Sequence, residues 1–175
     1  MIETDRLILR PAVEADRPAV AAMNADPKVG YWLGGVRDAA ASDLFLARCA
    51  DHIARHGFGF WAVERKADGQ VIGMTGLWHA PDNLPEAGKV EVGWRFAADA
   101  WGQGYATEAA RAALAYGFTV LNLAEIVAWT ARPNLASQAV MRRIGMVPVP
   151  ERDFDHPVLA ADDPLRPHVV FVARP

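Results

Sequence analysis

Trp101-Gly102-Gln103-Gly104-Tyr105-Ala106-Thr107-Glu108-Ala109 joins a predicted strand to a predicted helix. Two glycines remove side chains where a backbone must approach a ligand. The helix that follows presents unpaired N–H groups and the positive end of its dipole. Thr107 adds a hydroxyl donor. The pattern is that of a phosphate cradle that needs no lysine, and a ligand-free tight turn is the plain alternative. The Lys-Ser/Thr pair of a nucleotide-hydrolase loop is missing, as is the third glycine of a dinucleotide fingerprint. The loop also follows an antiparallel meander, where a βαβ unit would place it after a first strand. A nucleotide-hydrolase reading therefore fails.

Upstream of the loop, Lys89–Phe96 alternates as a strand, with Val90, Val92 and Trp94 opposite Glu91, Gly93 and Arg95. Two further runs, Phe58–Arg65 and Val71–His79, flank Asp68-Gly69, a strong hairpin signal. Arg6–Arg10 reads as an opening strand closed by Pro11. Asp16 with Pro18 starts a short helix. Tyr31-Trp32-Leu33 is an aromatic loop, and residues 38–56 form a longer helix ended by Gly57. Downstream, residues 105–121 carry a stripe of small residues, so that helix sits close on a sheet. Ile126–Thr130 is a strand, and Asn134 caps a helix that stops at Gly145. Val147–Val149 and Val169–Ala173 are the last strands. The order implies a mixed α/β fold with one central, mostly antiparallel sheet of about 6–7 strands and about four helices.

The chain has 175 residues, 52% hydrophobic and 22% charged, which suits one globular domain over 1–175. Net charge is -3, so a global basic field for nucleic acid is missing and an anionic ligand needs a local site. No apolar run approaches a membrane span, and no secretory h-region opens the chain. The single cysteine, Cys49, excludes an intrachain disulfide and a thiolate metal cluster. The expectation is a cytoplasmic protein with no membrane or nucleic-acid partner. His52 and His56 have the i, i+4 spacing of metal ligands. No third ligand stands nearby in the sequence, so they are read as ordinary histidines and no metal is expected.

The ordered set of Glu3–Pro11, Val90-Glu91-Val92-Gly93-Trp94, Trp101–Ala109, Arg132-Pro133-Asn134-Leu135-Ala136-Ser137 and Ile144-Gly145-Met146 resembles the GNAT N-acetyltransferases, of the ribosomal-protein N-terminal (RimJ/RimL) type. The family pattern at the loop is Gln/Arg-x-x-Gly-x-Gly/Ala. Here Trp101 departs from it, while Gly104 and Ala106 keep it. The resemblance implies acetyl-CoA as cosubstrate and a primary amine as acceptor, a protein N-terminus or a small molecule. It implies direct transfer in a ternary complex. It also implies a splayed strand pair whose gap takes the acetyl-pantetheine arm, with a bulge in the strand that holds Gly93. Trp94, Arg95 and Phe96 would meet that arm through their backbone. Trp101, Gly102, Gln103, Gly104, Tyr105, Ala106 and Thr107 would hold the pyrophosphate, and Asn134 and Ser137 the arm. Members of the family often form homodimers, and no stripe in this sequence decides that.

Acetyl transfer to an amine needs a base, an oxyanion donor and an acid for the leaving thiolate. Glu91 is the leading base, acting directly or through water. Many relatives carry a Tyr acid seven residues after the helix-opening Asn, and here Met141 stands there. Ser137 is the candidate in its stead. Phe154-Asp155-His156-Pro157 offers His156 as a further acid–base or acceptor-side group. Tyr31 and Trp32 lie where the family faces its acceptor. The rival reading, kept alive by Met141, is a non-catalytic module that binds acetyl-CoA as a sensor or through a partner. Cys49 lies on an apolar helix face, against a covalent acetyl-cysteine route.

Overall fold

Asp68 and Gly69 close the hairpin that the sequence promised. Gly69 takes the left-handed conformation at φ 69°, and Asp68 accepts from the Arg65 guanidinium across the turn. The computed structural model describes residues 1–175. Its strands are β1 (Ile2–Glu3), β2 (Leu7–Arg10), β3 (Phe60–Arg65), β4 (Gln70–His79), β5 (Val90–Phe96), β6 (Ile126–Ala131), β7 (Val147–Pro148), β8 (Phe154–Asp155) and β9 (Pro167–Ala173). Its helices are α1 (Arg17–Ala25), α2 (Pro27–Gly30), α3 (Ala39–His56), α4 (Tyr105–Thr119) and α5 (Leu135–Arg143). The sheet runs β1-β2-β3-β4-β5-β6-β9-β7, and β8 also pairs with β9. The expected 6–7 strands become nine and the four helices five. The additions β1, β8 and α2 are two to four residues long, too short for a period to register.

The alternation of β5 sorts its residues between two cores. Val92 and Phe96 face the larger cluster, which holds α4 residues Ala109, Ala110, Ala113 and Leu114. Gly117 explains how α4 comes so close: a Cβ there would lie 2.5 Å from Ile126 Cδ1. The opposite face carries a smaller cluster from α1, α3, β3 and β4, including Val20, Cys49, Ala62 and Met74. Glu91, Gly93 and Arg95 face that side.

Only β5 and β6 pair in parallel, through the single Cα pair Glu91–Val127. The adjoining β4–β5 ladder runs unbroken from Gly73–Phe96 to His79–Val90. Below the pair the two strands are tied by charge. Glu125 accepts from Arg152 at 3.0 Å and lies 3.4 Å from Lys89 Nζ. Arg152 also grips the almost fully buried Glu86. Above the pair, nothing bridges them, and the sheet forks. The fork matches the expected splay, but the expected bulge is not in β5. The register shift of this meander falls between β3 and β4, where Val63 and Glu64 face Gly73 and Val71 and Ile72 is the extra residue, in β4.

Candidate active site

The glycine loop leads from β5 into α4. Gly102 and Gly104 have φ 75° and 82°, a conformation that disfavours L side chains. A Cβ on Gly102 would meet nothing within 4 Å, so the space over the loop is open. The N–H groups of residues 102–107 make no hydrogen bond within the chain; the first amide of this run to find an acceptor is Glu108, on Gly104 O at 3.0 Å. A row of backbone donors at a helix N-terminus suits a pyrophosphate, since each donor otherwise needs water.

Side chains hold that loop in place. The Trp101 indole N–H donates to Phe96 O at 2.9 Å, and Gln103 Nε2 donates to Asp99 O. Arg6, which the sequence reading passed over, donates from Nη1 to Gln103 O at 3.0 Å and from Nε to Glu108 Oε2 at 2.6 Å. Its guanidinium lies 4.6 Å from the Tyr105 ring centre. Glu108 also accepts from Thr4 and from the Arg6 backbone, so its carboxylate is engaged away from the free amides. The Glu3–Pro11 segment, which the resemblance includes, therefore also supplies the clamp on the loop.

Glu91 stands at the fork on the side opposite α4. Burial alone pushes its carboxyl up to about 8, because no cation or donor compensates the lost hydration. Arg95, two alternations along, sends its guanidinium to the same side. It lies 4.2 Å over the Phe45 ring and donates to Asn24 Oδ1 at 2.9 Å. Burial lowers it to about 10. Its neighbour Trp94 packs on the other face. The Phe96 carbonyl, expected to meet a ligand, is already taken by Trp101. Gly93 is explained by Phe60, whose Cζ would lie 2.8 Å from an added Cβ.

Asn134 is buried and its Oδ1 accepts from Ser137 N at 3.1 Å, the expected cap. Ser137 is half-buried one turn along. Met141 lies in the larger core, 2% exposed. His156 is set off from β6 by Phe154, whose ring centre is 6.4 Å from Trp129 and 6.3 Å from His156. Its Nδ1 is buried without a partner, and burial followed by His168 lowers its affinity for a proton. An open cavity of about 270 Å³ adjoins it, lined by Arg132, Asp153, Phe154 and His168 among others. Tyr31 and Trp32 occupy a 3-10 turn and pack edge to face at 4.8 Å, with Tyr31 exposed.

A family profile described as "Acetyltransferase (GNAT) domain" matches residues 6–147. The chain belongs to the GNAT acetyltransferase family. It is 31% identical over 144 residues to the uncharacterised protein YkkB of Bacillus subtilis, covering 82% of this chain and 83% of that one. It is 32% identical over 157 residues to the FsC-acetyl coenzyme A-N(2)-transacetylase of Aspergillus fumigatus, covering 85% of this chain and 65% of that protein. A solved acetyltransferase from Agrobacterium tumefaciens superimposes with a TM-score of 0.80 at 29% identity, over 99% of this chain and 94% of that one. Solved ribosomal-protein acetyltransferases share the fold at 16–18% identity.

This GNAT protein is thus an N-acetyltransferase. Its Cys49 is buried, and burial pushes the thiol up to about 12. That argues against a thiolate nucleophile at neutral pH. No helix of this acetyltransferase is long and apolar enough to cross a membrane.

Proposed function

We propose that residues 1–175 form one N-acetyltransferase domain that transfers an acetyl group from acetyl-CoA to a primary amine in a ternary complex. The observation that carries this reading is the fork above Glu91–Val127, whose open edge continues into the free amides of residues 102–107. An extended acyl-pantetheine arm can add to an unpaired strand edge as a peptide strand does. Gly102, Gln103, Gly104, Tyr105, Ala106 and Thr107 then receive the pyrophosphate, and the name of the Aspergillus relative supports acetyl coenzyme A as the donor. Asn134 keeps its side-chain N–H₂ for the arm, since its capping bond uses Oδ1.

The amine nitrogen attacks the thioester carbonyl carbon, and the C–S bond breaks. Backbone N–H groups of Trp94 and Phe96, on the edge of β5 away from β4, stabilise the oxyanion. Glu91 takes the amine proton, directly or through a water. A carboxyl near 8 is half-ionised at mildly alkaline pH and holds a proton more firmly than an ordinary glutamate. Ser137, half-buried on the first turn of α5, returns a proton to the leaving sulfur. Tyr31, Trp32 and His156 form the acceptor side. The lone buried cysteine suits a reducing compartment, and we place the enzyme in the cytoplasm.

Calorimetry with acetyl-CoA, followed by an amine screen with thiol-release detection, tests the reading. Initial rates that intersect in a sequential pattern are expected. Failure to bind acetyl-CoA, or parallel ping-pong lines, would overturn the donor or the direct transfer respectively.

A further inference from the structure

The fold supplies the ligand that the His52/His56 spacing lacked. β4 ends at His79 beside the last turn of α3, and ligand nitrogens of His52, His56 and His79 all lie within 4.8 Å of one another. His52 Nε2 and His79 Nδ1 are 3.1 Å apart. Zinc–nitrogen bonds of 2.0–2.1 Å at tetrahedral angles space two nitrogens by about 3.3 Å, so His52 and His79 already stand at ligand spacing, and the exposed His56 side chain makes the remaining closure from within 4.8 Å. The three rings pack together: centroids are 4.5 Å apart for His52–His56, 4.5 Å for His56–His79 and 5.2 Å for His52–His79. Phe58 packs against all three and forms an apolar floor.

The second observation is the tautomer. His52 Nδ1 lies 2.7 Å from the Phe58 carbonyl oxygen. A carbonyl only accepts, so Nδ1 carries the hydrogen and the Nε2 lone pair faces the cluster, where it accepts from His79 Nδ1 and, at 3.5 Å, from the His79 backbone N–H; a metal would take the place of both donors. A carbonyl that orients a ring through its other nitrogen is the usual support of a metal-bound histidine. His79 makes no other side-chain hydrogen bond, so shifting its proton from Nδ1 to Nε2 sacrifices no contact outside the cluster. His56 is exposed and leaves one side open for a water ligand.

We propose that His52, His56 and His79 form a site for a divalent transition metal of the zinc class, which ties the end of α3 to the end of β4. This site is independent of the acetyl-transfer reading. The test uses tag-free, chelator-stripped protein titrated with zinc chloride in a calorimeter, and with cobalt chloride followed by visible absorption. One equivalent of zinc and the absorption of four-coordinate cobalt are expected. His56→Ala changes an exposed residue, and His79→Ala a half-buried one. Each is expected to weaken zinc by about tenfold or more and to abolish the cobalt bands, with circular dichroism unchanged for His56→Ala. Absence of zinc uptake by the wild type, or uptake unaltered in His56→Ala, overturns the site.

Discussion

Glu91 and Val127 form the sole Cα pair between β5 and β6, and the sheet divides directly above them. The strands are charge-tied below this pair through Glu125 and open above it. The one carboxylate at the crotch of the fork is also the one whose burial raises it to about 8. Position and proton affinity therefore coincide at a single side chain.

Glu91 makes activity and stability respond to pH in opposite directions. As a base it must be ionised, so kcat/KM for an amine is expected to rise through about pH 8, and Glu91→Gln to remove that limb with a loss of about 10²-fold or more at neutral pH. For stability, the folded value lies above the ordinary 4.5, so the folded state holds the proton more tightly. Its contribution is complete below 4.5 and is lost as pH rises through about 8. The Tm of the wild type should fall over that window more than the Tm of Glu91→Gln. Identical Tm profiles would show that Glu91 does not titrate high.

Gly104→Glu should abolish the cradle. The residue stands at φ 82°, where an L side chain costs about 1–2 kcal/mol, and the added carboxylate repels a pyrophosphate. Acetyl-CoA affinity by calorimetry is expected to fall about tenfold or more, equivalent to at least about 1.4 kcal/mol. Gly104→Ala should lose stability without comparable loss of binding. Unchanged affinity in Gly104→Glu would remove the loop from the site.

Ser137 and His156 can be separated kinetically. Ser137→Ala is expected to lower kcat by about 10²-fold if its hydroxyl protonates the leaving sulfur, with the acetyl-CoA KM little changed. His156→Ala is expected to raise the amine KM with kcat little changed, as the loss of an acceptor-side group would. A kcat unaffected by loss of Ser137 would leave solvent as the acid.

Arg152→Met tests the base of the fork. It strands Glu86, 4% exposed, without its cation. Breaking such a buried pair costs about 3–5 kcal/mol. Urea denaturation should show the loss, and Arg152→Lys should recover part of it. A cost below about 1 kcal/mol would place Glu86 in contact with water.

Local chemistry made much of this protein legible in its sequence. Asp68-Gly69 encoded its turn, Asn134 its cap and the small residues of α4 their close approach, because each depends on neighbours within a few positions. The same holds for the free amides of residues 102–107, which follow from two glycines before a helix. Alternation in β5 likewise put Glu91, Gly93 and Arg95 on one face. What the period of two leaves open is what lies on that face. Burial of Glu91, the Phe45 and Asn24 partners of Arg95, and Phe60 against Gly93 all come from elements distant in the chain. Nor could spacing reveal that Trp101 occupies the Phe96 carbonyl, that Arg6 clamps Gln103, or that His79 completes a histidine triad. Those pairings are made by sheet register and layer packing, which bring residues together only after the loops have closed. The sequence determined the elements, the glycine loop and the family. The tertiary structure decided which carboxylate is desolvated and where the sheet opens, because both depend on strand pairing and burial between remote segments.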